Sequence, residues 1–589
     1  AVIIWTRVTP DTGSIGAITV YWRMATDTNM TQIVNNDSTA TDANVDYTVK
    51  IDVTGLQPAT YYYYEFTALG KNSLIGRTKT APASAADIDS LRFAFVACSN
   101  YPYGYFNSYS AIKKGNDVDA VIHLGDYIYE YADGYSTGTL ADRPNNPINE
   151  IITLSDYRTR YSHYRLDPDL RKLHQQYPWM IIWDDHETAN DAYRDGADNH
   201  TEGTEGLWVN RKKYAMRAWT EWLPVRKPNP ADSMQIFRKI SYGNLANIYL
   251  LDTRLFDRDQ QNFSATNDTA HHLLGLAQRA WFYNELLNST AQWNIVGQQV
   301  MIAKLSGGIV LNAVPTFQNL KADMWDGYNS ERQSLIDHVL NNNIKNVVII
   351  TGDIHTSWAN DVPTNTYSAG NPATGSAMVE FVTTSVTSPG LDAWLGSTIN
   401  SQLATLIYPN NPHIKYVNLD EKGYNILDIN KIRTQNDFYF VNTITAPNDS
   451  SQAKEYWFVN DNERALRKAT SKTTARPSLT SVFFAPENPH NVSGVSIDEP
   501  SHSIIILGTY PNPSSDYFVI QFFNEKSSQT KIKMIDITGK IIHEEQLGNI
   551  SSGLHFYAVD ARKLADGIYF LMIDTKNGAA KQKLIKKTN

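Results

Sequence analysis

Residues 118–130 read VDAVIHLGDYIYE, a short apolar run that ends abruptly in a glycine and a carboxylate. Its aliphatic and β-branched residues are typical of a strand that is buried on both faces of a parallel sheet. Asp126 stands at the end of this run, and Tyr129 follows three residues later. Ligands gather outside the carboxyl ends of the strands in open parallel sheets. The stretch therefore predicts a metal site that contains Asp126 and Tyr129.

Three further apolar runs, at 91–97, 178–183 and 344–352, also end in side chains that can bind metals. These side chains are Cys98, Asp184, Asp185, His186, Glu187, Asn190, Asp191, Asp353 and His355. One such run alone is most simply a strand that ends in a polar loop. Four together place a thiol, carboxylates, an amide, imidazoles and a phenol along one sheet edge. That arrangement indicates a site for more than one metal ion.

The composition excludes several classes of protein. A chain of 589 residues is too long for one hydrophobic core, so we expect two or three domains. A net charge of −9 disfavours binding to nucleic acid through phosphate contacts. No apolar run approaches the roughly 20 residues of a membrane helix. The single cysteine excludes an internal disulfide. The chain opens directly on a strand-like segment, and we expect a signal peptide to have been removed.

The pattern of residue types along the sequence divides the chain into three parts. Residues 1–85 are short alternating runs separated by turn residues, which predict a small β-sandwich of immunoglobulin or fibronectin type. Between 91 and 485, strands alternate with helices, which predicts an α/β domain with helices around central sheets. A Ser, Pro and Asn-rich linker is expected at 486–502, and 503–589 again reads as β-strands. The stretch 131–150, rich in Gly, Asn, Pro and Asp, is predicted to form a loop over the site.

Seven motifs of the central part occur in an order that resembles a known family. They are CSN, HLGDYIYEY, YRTRYSHYRLDPDL, WDDHETAND, LLDTR, GDIHTSW and EFVTTSVTSPG. The set resembles the PhoD-like alkaline phosphatases, which belong to the calcineurin-like metallophosphoesterases. The resemblance covers about residue 91 to the 480s, and the opening module is similar to the N-terminal β-sandwich of that family. It implies a calcineurin-like sandwich of helices around central β-sheets, flanked by two β-modules.

The C-terminal part resembles a different family. YPNPSSDYFVI, IDITGKII, LADGIYFL and the closing KLIKK are similar to the type A sorting domain of type IX secretion. This resemblance implies a Bacteroidetes-type protein that is secreted, periplasmic or held at the cell surface. It also implies that the type IX machinery is a partner of the tail, and that the tail serves export and not catalysis.

The phosphatase resemblance implies Fe³⁺ beside one or more Ca²⁺ ions. The implied iron ligands are Cys98, Asp126, Tyr129 and His355, with Asp126 bridging to calcium. The implied calcium ligands are Asp185, Asp353 and Asn190. Thiolate and phenolate are strong donors to ferric iron, whereas calcium takes several oxygen ligands. The alternative for Cys98 is a buried small hydrophobe, and the alternative for His355 is a hydrogen-bonded loop histidine.

The implied reaction is hydrolysis of a small phosphate ester by a metal-activated hydroxide, with no enzyme nucleophile. His186 is the candidate for protonating the leaving oxygen, and a structural role is the alternative. Arg158 is a candidate phosphate clamp, although exposure is the more common fate of such an arginine. Arg254, near Asp252, is expected to form a structural ion pair.

Two other functions remain open at this point. The motifs do not separate monoesters from diesters, so a phosphodiesterase of phospholipase D type is one alternative. A calcium-dependent surface binding protein is the other, because β-modules flank the central part. Cys98 and His355 argue against it, since a site for calcium alone has no use for a thiolate or an imidazole.

Overall fold

A computed structural model describes residues 1–10, 16–229, 234–306, 315–365, 374–390, 403, 407–487, 504–524, 526–537, 539–576 and 578–587. Most of the linker expected at 486–502, from residue 488 onward, lies outside the described residues. Within the described ranges, no helix has the length and apolar character that a membrane crossing requires.

The N-terminal part consists of strands, as the turn pattern predicts. β1 pairs with β4, and β3, β2, β5, β6 and β7 form a five-stranded sheet in which β7 pairs with β5. In β2, Val20, Trp22 and Met24 are buried, while the intervening side chains are more exposed. This alternation of period two gives the module a core of its own. The strands are β1 (Val2–Arg7), β2 (Ile18–Ala25), β3 (Ile33–Thr41), β4 (Thr48–Val53), β5 (Tyr61–Ala68), β6 (Lys71–Asn72) and β7 (Gly76–Lys79).

The central part contains two seven-stranded mixed sheets and few helices. The strands are β8 (Ser90–Val96), β9 (Ala120–His123), β10 (Trp179–Ile181), β11 (Arg238–Tyr242), β12 (Ala246–Leu250), β13 (Trp293–Gly297), β14 (Val347–Thr351), β15 (Ser357–Val362), β16 (Met378–Val382), β17 (Ile414–Asn418), β18 (Gly423–Asn430), β19 (Arg433–Val441), β20 (Ser451–Asn460) and β21 (Arg467–Lys468). The helices are α1 (Asn107–Gly115), α2 (Leu154–Tyr164), α3 (Pro168–Gln176), α4 (Trp208–Trp222), α5 (Gly275–Leu287), α6 (Pro315–Asp323), α7 (Asn329–Asn341) and α8 (Pro477–Thr480).

Parallel strands form one edge of one sheet and the interior of the other. One sheet has the order β10-β9-β8-β18-β19-β20-β21, and the other has the order β11-β12-β13-β14-β16-β15-β17. The run β10-β9-β8 and the run β12-β13-β14-β16 are parallel. Side chains of both sheets, including Phe95, Val121, Ile295 and Ile350, belong to one buried core. The carboxyl ends of β8, β9, β10 and β14 therefore meet in one region of the domain.

The C-terminal part folds around a separate core. Its strands form a sheet of order β22-β23-β26 and a sheet of order β25-β24-β27-β28. Phe518, Ile520, Met534 and Leu571 are among the buried residues of this core. The immunoglobulin-like nature of the first module and the sandwich form of this one stay predictions. The strands are β22 (Ile504–Tyr510), β23 (Tyr517–Asn524), β24 (Ser528–Asp536), β25 (Ile541–Ile550), β26 (Gly553–Asp560), β27 (Gly567–Thr575) and β28 (Gly578–Lys586).

Candidate metal centre

The loops that follow β8, β9, β10 and β14 bring their polar side chains together. The ligand atoms form three groups, and within each group they lie within 4.8 Å of one another. The groups are Cys98, Asp126 and His355; Asp126, Asp185 and His186; and Asp184, Asp185 and Asp353. Asp126 belongs to the first two groups, and Asp185 belongs to the last two. The groups therefore adjoin one another, as expected for a site that binds more than one ion.

The backbone at these positions is strained. Four of the candidate ligands have a positive φ between 56° and 66°, namely Cys98, Asp126, Asp353 and His355. Such a conformation costs free energy for residues other than glycine and clusters at functional sites. Gly125 has a φ of 113°, and a Cβ there would lie 2.4 Å from the Cβ of Asp184. The Gly-Asp pair after β9 is therefore required for the close approach of the two loops.

Tyr129 and the segment around Ser388 order the first group through hydrogen bonds. The Tyr129 hydroxyl donates to Asp126 Oδ2 over 2.8 Å and lies 3.1 Å from His355 Nε2. Ser388 Oγ donates to the same phenol over 2.6 Å. The Nδ1 atom of His355 lies 2.7 Å from the carbonyl oxygen of Pro389. A proton on Nδ1 satisfies that carbonyl and leaves the Nε2 lone pair facing the group.

Burial controls the protonation of the two acidic donors in this group. It raises the pKa of the Cys98 thiol and of the Tyr129 phenol well above their ordinary values, and nearby Asp126 acts in the same direction. Without a cation, both groups are therefore neutral. A bound cation stabilises the thiolate and phenolate, so binding would release their protons.

The second group is built on a buried ion pair. His186 Nδ1 lies 2.7 Å from Glu130 Oε2. Burial alone would lower the pKa of His186, but Glu130 and the nearby aspartates raise it well above the ordinary value. Glu130 also accepts from the backbone N–H of Asn190 over 2.8 Å and from Asn199 Nδ2 over 2.9 Å. These contacts favour the protonated imidazole and hold it beside Asp126.

The third group surrounds a buried arginine. The Arg254 guanidinium donates to Asp184 and Asp353, and it lies 3.6 Å from Asp185 Oδ1. It also donates to both oxygens of Asp323 over 2.7 Å. The sequence suggested a structural ion pair of Arg254 near Asp252. Arg254 bonds to the Asp252 carboxylate through its backbone N–H and not through its guanidinium. The charged end of Arg254 faces the site instead.

Negative charge exceeds positive charge around this arginine. Asp184 Oδ2 and Asp185 Oδ1 are buried, and neither has a hydrogen-bond partner within the described part of the chain. Burial and mutual repulsion raise the pKa of Asp353 to about 7 and that of Asp184 well above its ordinary value. Buried carboxylate oxygens without partners are costly unless a cation meets them. These residues therefore fit a site for metal ions.

Comparison with known proteins agrees with this geometry. The family model described as PhoD-like phosphatase matches residues 93–438, which is more than half of the chain. The chain belongs to the PhoD-like phosphatase family. The model described as the N-terminal domain of PhoD-like phosphatase matches residues 1–82, and that of a secretion system C-terminal sorting domain matches residues 508–587. Both resemblances found in the sequence are thereby confirmed.

Individual relatives of this PhoD-like phosphatase support the same assignment. Alkaline phosphatase D of Bacillus subtilis (strain 168) is 34% identical over 488 residues, covering 80% of this chain and 81% of the relative. A solved structure of PhoD is 32% identical with a TM-score of 0.70, covering 81% of this chain and 90% of that one. The chain is therefore an alkaline phosphatase of this metal-dependent family, a phosphoric ester hydrolase. This membership favours an enzyme over the calcium-dependent binding protein. The sorting domain indicates a secreted or cell-surface protein.

Asn190 and Arg158, two site residues predicted from the sequence, are not members of the three groups. The amide oxygen of Asn190 accepts from the Tyr131 hydroxyl over 3.2 Å, so Asn190 lies beside the second group. Arg158 is held by both oxygens of Glu221 over 2.7 Å, and it donates to the carbonyl of Asn44 in the N-terminal module. These contacts occupy the guanidinium between α2, α4 and the first module. The structure gives the phosphate-clamp role of Arg158 no support.

Several residues around the centre received no role from the sequence. Glu187 accepts from the backbone N–H groups of Asp126, Tyr127 and Asp184, and so ties the loops after β9 and β10 together. Glu187 follows the apolar run at 178–183, and its place among the polar side chains there was its only signal. Asp184 likewise was named only as a side chain able to bind metals, and Glu130, Asp323 and Ser388 had no predicted role.

Proposed function

We propose that this phosphatase holds one ferric ion and at least one calcium ion and hydrolyses small phosphate esters outside the cell. The observation that carries the proposal is the division of ligand types. Cys98 and His355 form one group with Asp126, and the Tyr129 hydroxyl contacts both Asp126 and His355. The group of Asp184, Asp185 and Asp353 instead offers only carboxylate oxygens as ligand atoms. Thiolate, phenolate and imidazole suit ferric iron, whereas a carboxylate cluster suits calcium.

The ligand assignment follows this division. The proposed iron ligands are Cys98, Asp126, Tyr129 and His355. The proposed calcium ligands are Asp185, Asp353 and Asn190, and Asp184 joins them because its buried Oδ2 atom lacks a hydrogen-bond partner among the described residues. Asp126 is shared between the first and second groups, which supports a bridging position.

The proposed hydrolysis requires few chemical steps from the side chains of the protein. When bound, the metal ions would supply Lewis acidity that activates water and neutralises phosphoryl charge. His186 is the proposed proton donor to the leaving oxygen, because its Nδ1–H donates a hydrogen bond to Glu130 and its Nε2 proton stays available. Glu130 orients the ring and keeps it protonated. No nucleophilic side chain is needed, since water attacks phosphorus directly.

Chelation should separate the two kinds of ion. Carboxylate coordination of calcium is labile, whereas thiolate and phenolate hold ferric iron tightly. We expect mild chelation to lower activity by more than about tenfold, and added calcium to restore it better than zinc or magnesium. Metal analysis before and after chelation should show that calcium leaves and iron stays. Recovery with zinc alone, without retained iron, would indicate an ordinary dinuclear zinc enzyme.

The substrate class can be tested with a panel of monoesters and diesters at alkaline pH with added calcium. The proposal expects hydrolysis of small monoesters. Activity confined to diesters would favour the phosphodiesterase of phospholipase D type, and absence of turnover on every ester would contradict the proposal as a whole.

The C-terminal module should be dispensable for catalysis. Its core is separate, whereas Ala485, Pro486 and Glu487 still contact the catalytic domain through Gln176, Gln175 and Lys113. We therefore expect a chain that ends at residue 487 to fold and keep its specific activity. A chain that ends at residue 480 loses these contacts and should melt at a lower temperature. A well-folded but inactive chain ending at residue 487 would contradict the domain assignment.

A further inference from the structure

Two tyrosine rings stack at the edge of the metal centre. The rings of Tyr131 and Tyr135 are nearly parallel, with an angle of 3° and a centroid distance of 3.7 Å. Tyr135 is 60% exposed, whereas Tyr129, the candidate ligand that precedes the pair, is 2% exposed. The three tyrosines form a series of rings that begins in the buried site and ends at solvent.

The local backbone holds Tyr135 in this position. Gly134 has a φ of 68°, and the Tyr135 N–H donates to the carbonyl of Ala132 over 3.3 Å, so the chain turns back over Tyr131. Asp133 anchors the turn on both sides. Its backbone N–H donates to the carbonyl of Ile148 over 2.7 Å, and its side chain accepts from the N–H of Asn145 over 2.9 Å. The exposed ring is therefore fixed before any ligand arrives.

The stack is continuous with the catalytic residues. The Tyr131 ring lies 5.1 Å from the His186 ring and 6.4 Å from the Tyr129 ring, centroid to centroid. The Tyr131 hydroxyl donates to the Asn190 amide oxygen. A leaving group that departs toward His186 would therefore move along the side of the site where the two rings stack. Tyr135 stacks on the Tyr131 ring over a further 3.7 Å, so we expect it to suit a ring that a spacer separates from the phosphate oxygen.

We propose that the exposed ring of Tyr135 is a stacking subsite for a planar aromatic part of the leaving group. The spacing favours esters whose aromatic group is set back from phosphorus by a spacer, such as nucleoside monophosphates, over alkyl phosphates. Every nucleobase has a π-face that stacks on tyrosine, so the preference is for aromatic character and not for one base. This inference rests on the proposed phosphatase function and specifies its substrate class.

The test compares adenosine 5′-monophosphate with glycerol phosphate as substrates of the full chain. In Tyr135→Ala, we expect the ratio of their kcat/KM values to fall by about fivefold, through KM of the nucleotide. Tyr135→Phe keeps the ring and should keep the ratio. Tyr21→Ala is the matched control, since Tyr21 is also 60% exposed but lies in the N-terminal module.

A second measurement is independent of turnover. Adenosine carries the ring without a phosphate and should inhibit glycerol phosphate hydrolysis competitively in the wild type and in Tyr135→Phe, but several-fold more weakly in Tyr135→Ala. An equal loss on both substrates, or unchanged adenosine inhibition in Tyr135→Ala, would show that Tyr135 only supports the loop and would overturn the inference. Lack of activity on every ester would instead contradict the phosphatase proposal, which separates the two failures.

Discussion

Asp126→Asn is expected to lower phosphatase activity by more than about a hundredfold. Replacing a residue that only hydrogen-bonds to a metal ligand already lowers metal affinity or activity by about 10- to 100-fold, and Asp126 is itself a proposed ligand. Asp126 is shared by the first two ligand groups, and its two oxygens already contact the Tyr129 hydroxyl and the backbone N–H of His186. An amide has the same shape but lacks the negative charge that a bridging ligand must supply. Both ions should therefore bind more weakly.

Metal content measured together with kcat is the decisive readout for this variant. The matched control is Asp361→Asn, because Asp361 is also buried but bonds to the Leu466 N–H and lies in an ion pair with Lys415. Asp361→Asn should keep the metals and the activity, with only a lower melting temperature. An Asp126→Asn protein that is folded, fully metallated and active would remove Asp126 from the centre.

The sequence predicts the position of a site residue well where that residue follows shortly after the end of a strand. Cys98, Asp126 and Asp353 lie two or three residues beyond the ends of β8, β9 and β14, and the parallel pairing fixes where those strands end. The hydrophobic run alone specifies the strand, so the position of the residue that follows it is also specified. The local pattern therefore predicts where these candidate metal ligands lie.

The side-chain partners of the arginines near the site could not be predicted from such local patterns. Arg254 and Asp252 are near neighbours in sequence, but the Arg254 guanidinium turns to Asp184, Asp323 and Asp353. That choice depends on the negative charge gathered by three other segments of the chain. Arg158 shows the converse, because its planar guanidinium suggested a phosphate clamp, whereas Glu221 of α4 occupies that guanidinium. Charge balance is a tertiary property, and local spacing does not record it.

Tyr129→Phe and Cys98→Ser should change the colour of the purified protein. Phenolate and thiolate bound to ferric iron absorb visible light through charge transfer from ligand to metal, so we expect the wild-type protein to be coloured as isolated. Tyr129→Phe removes the phenolate oxygen and should shift or bleach the band. Cys98→Ser replaces a soft, strong donor with a weak one, and should lower both iron content and activity by about tenfold or more.

A purely structural role of Cys98 predicts instead that its replacement leaves the iron content and the activity unchanged. Cys98 is 1% exposed and belongs to the main hydrophobic core, so a purely structural thiol would tolerate serine with a modest loss of stability. Its backbone, however, has a φ of 63°, a conformation that costs free energy for a residue other than glycine and that clusters at functional sites. A colourless protein without iron, in which Cys98→Ser keeps wild-type activity, would show that the thiol is only packed. The iron assignment would then fail while the phosphatase assignment stood, because the carboxylate groups around Asp185 and Asp353 do not depend on the thiol.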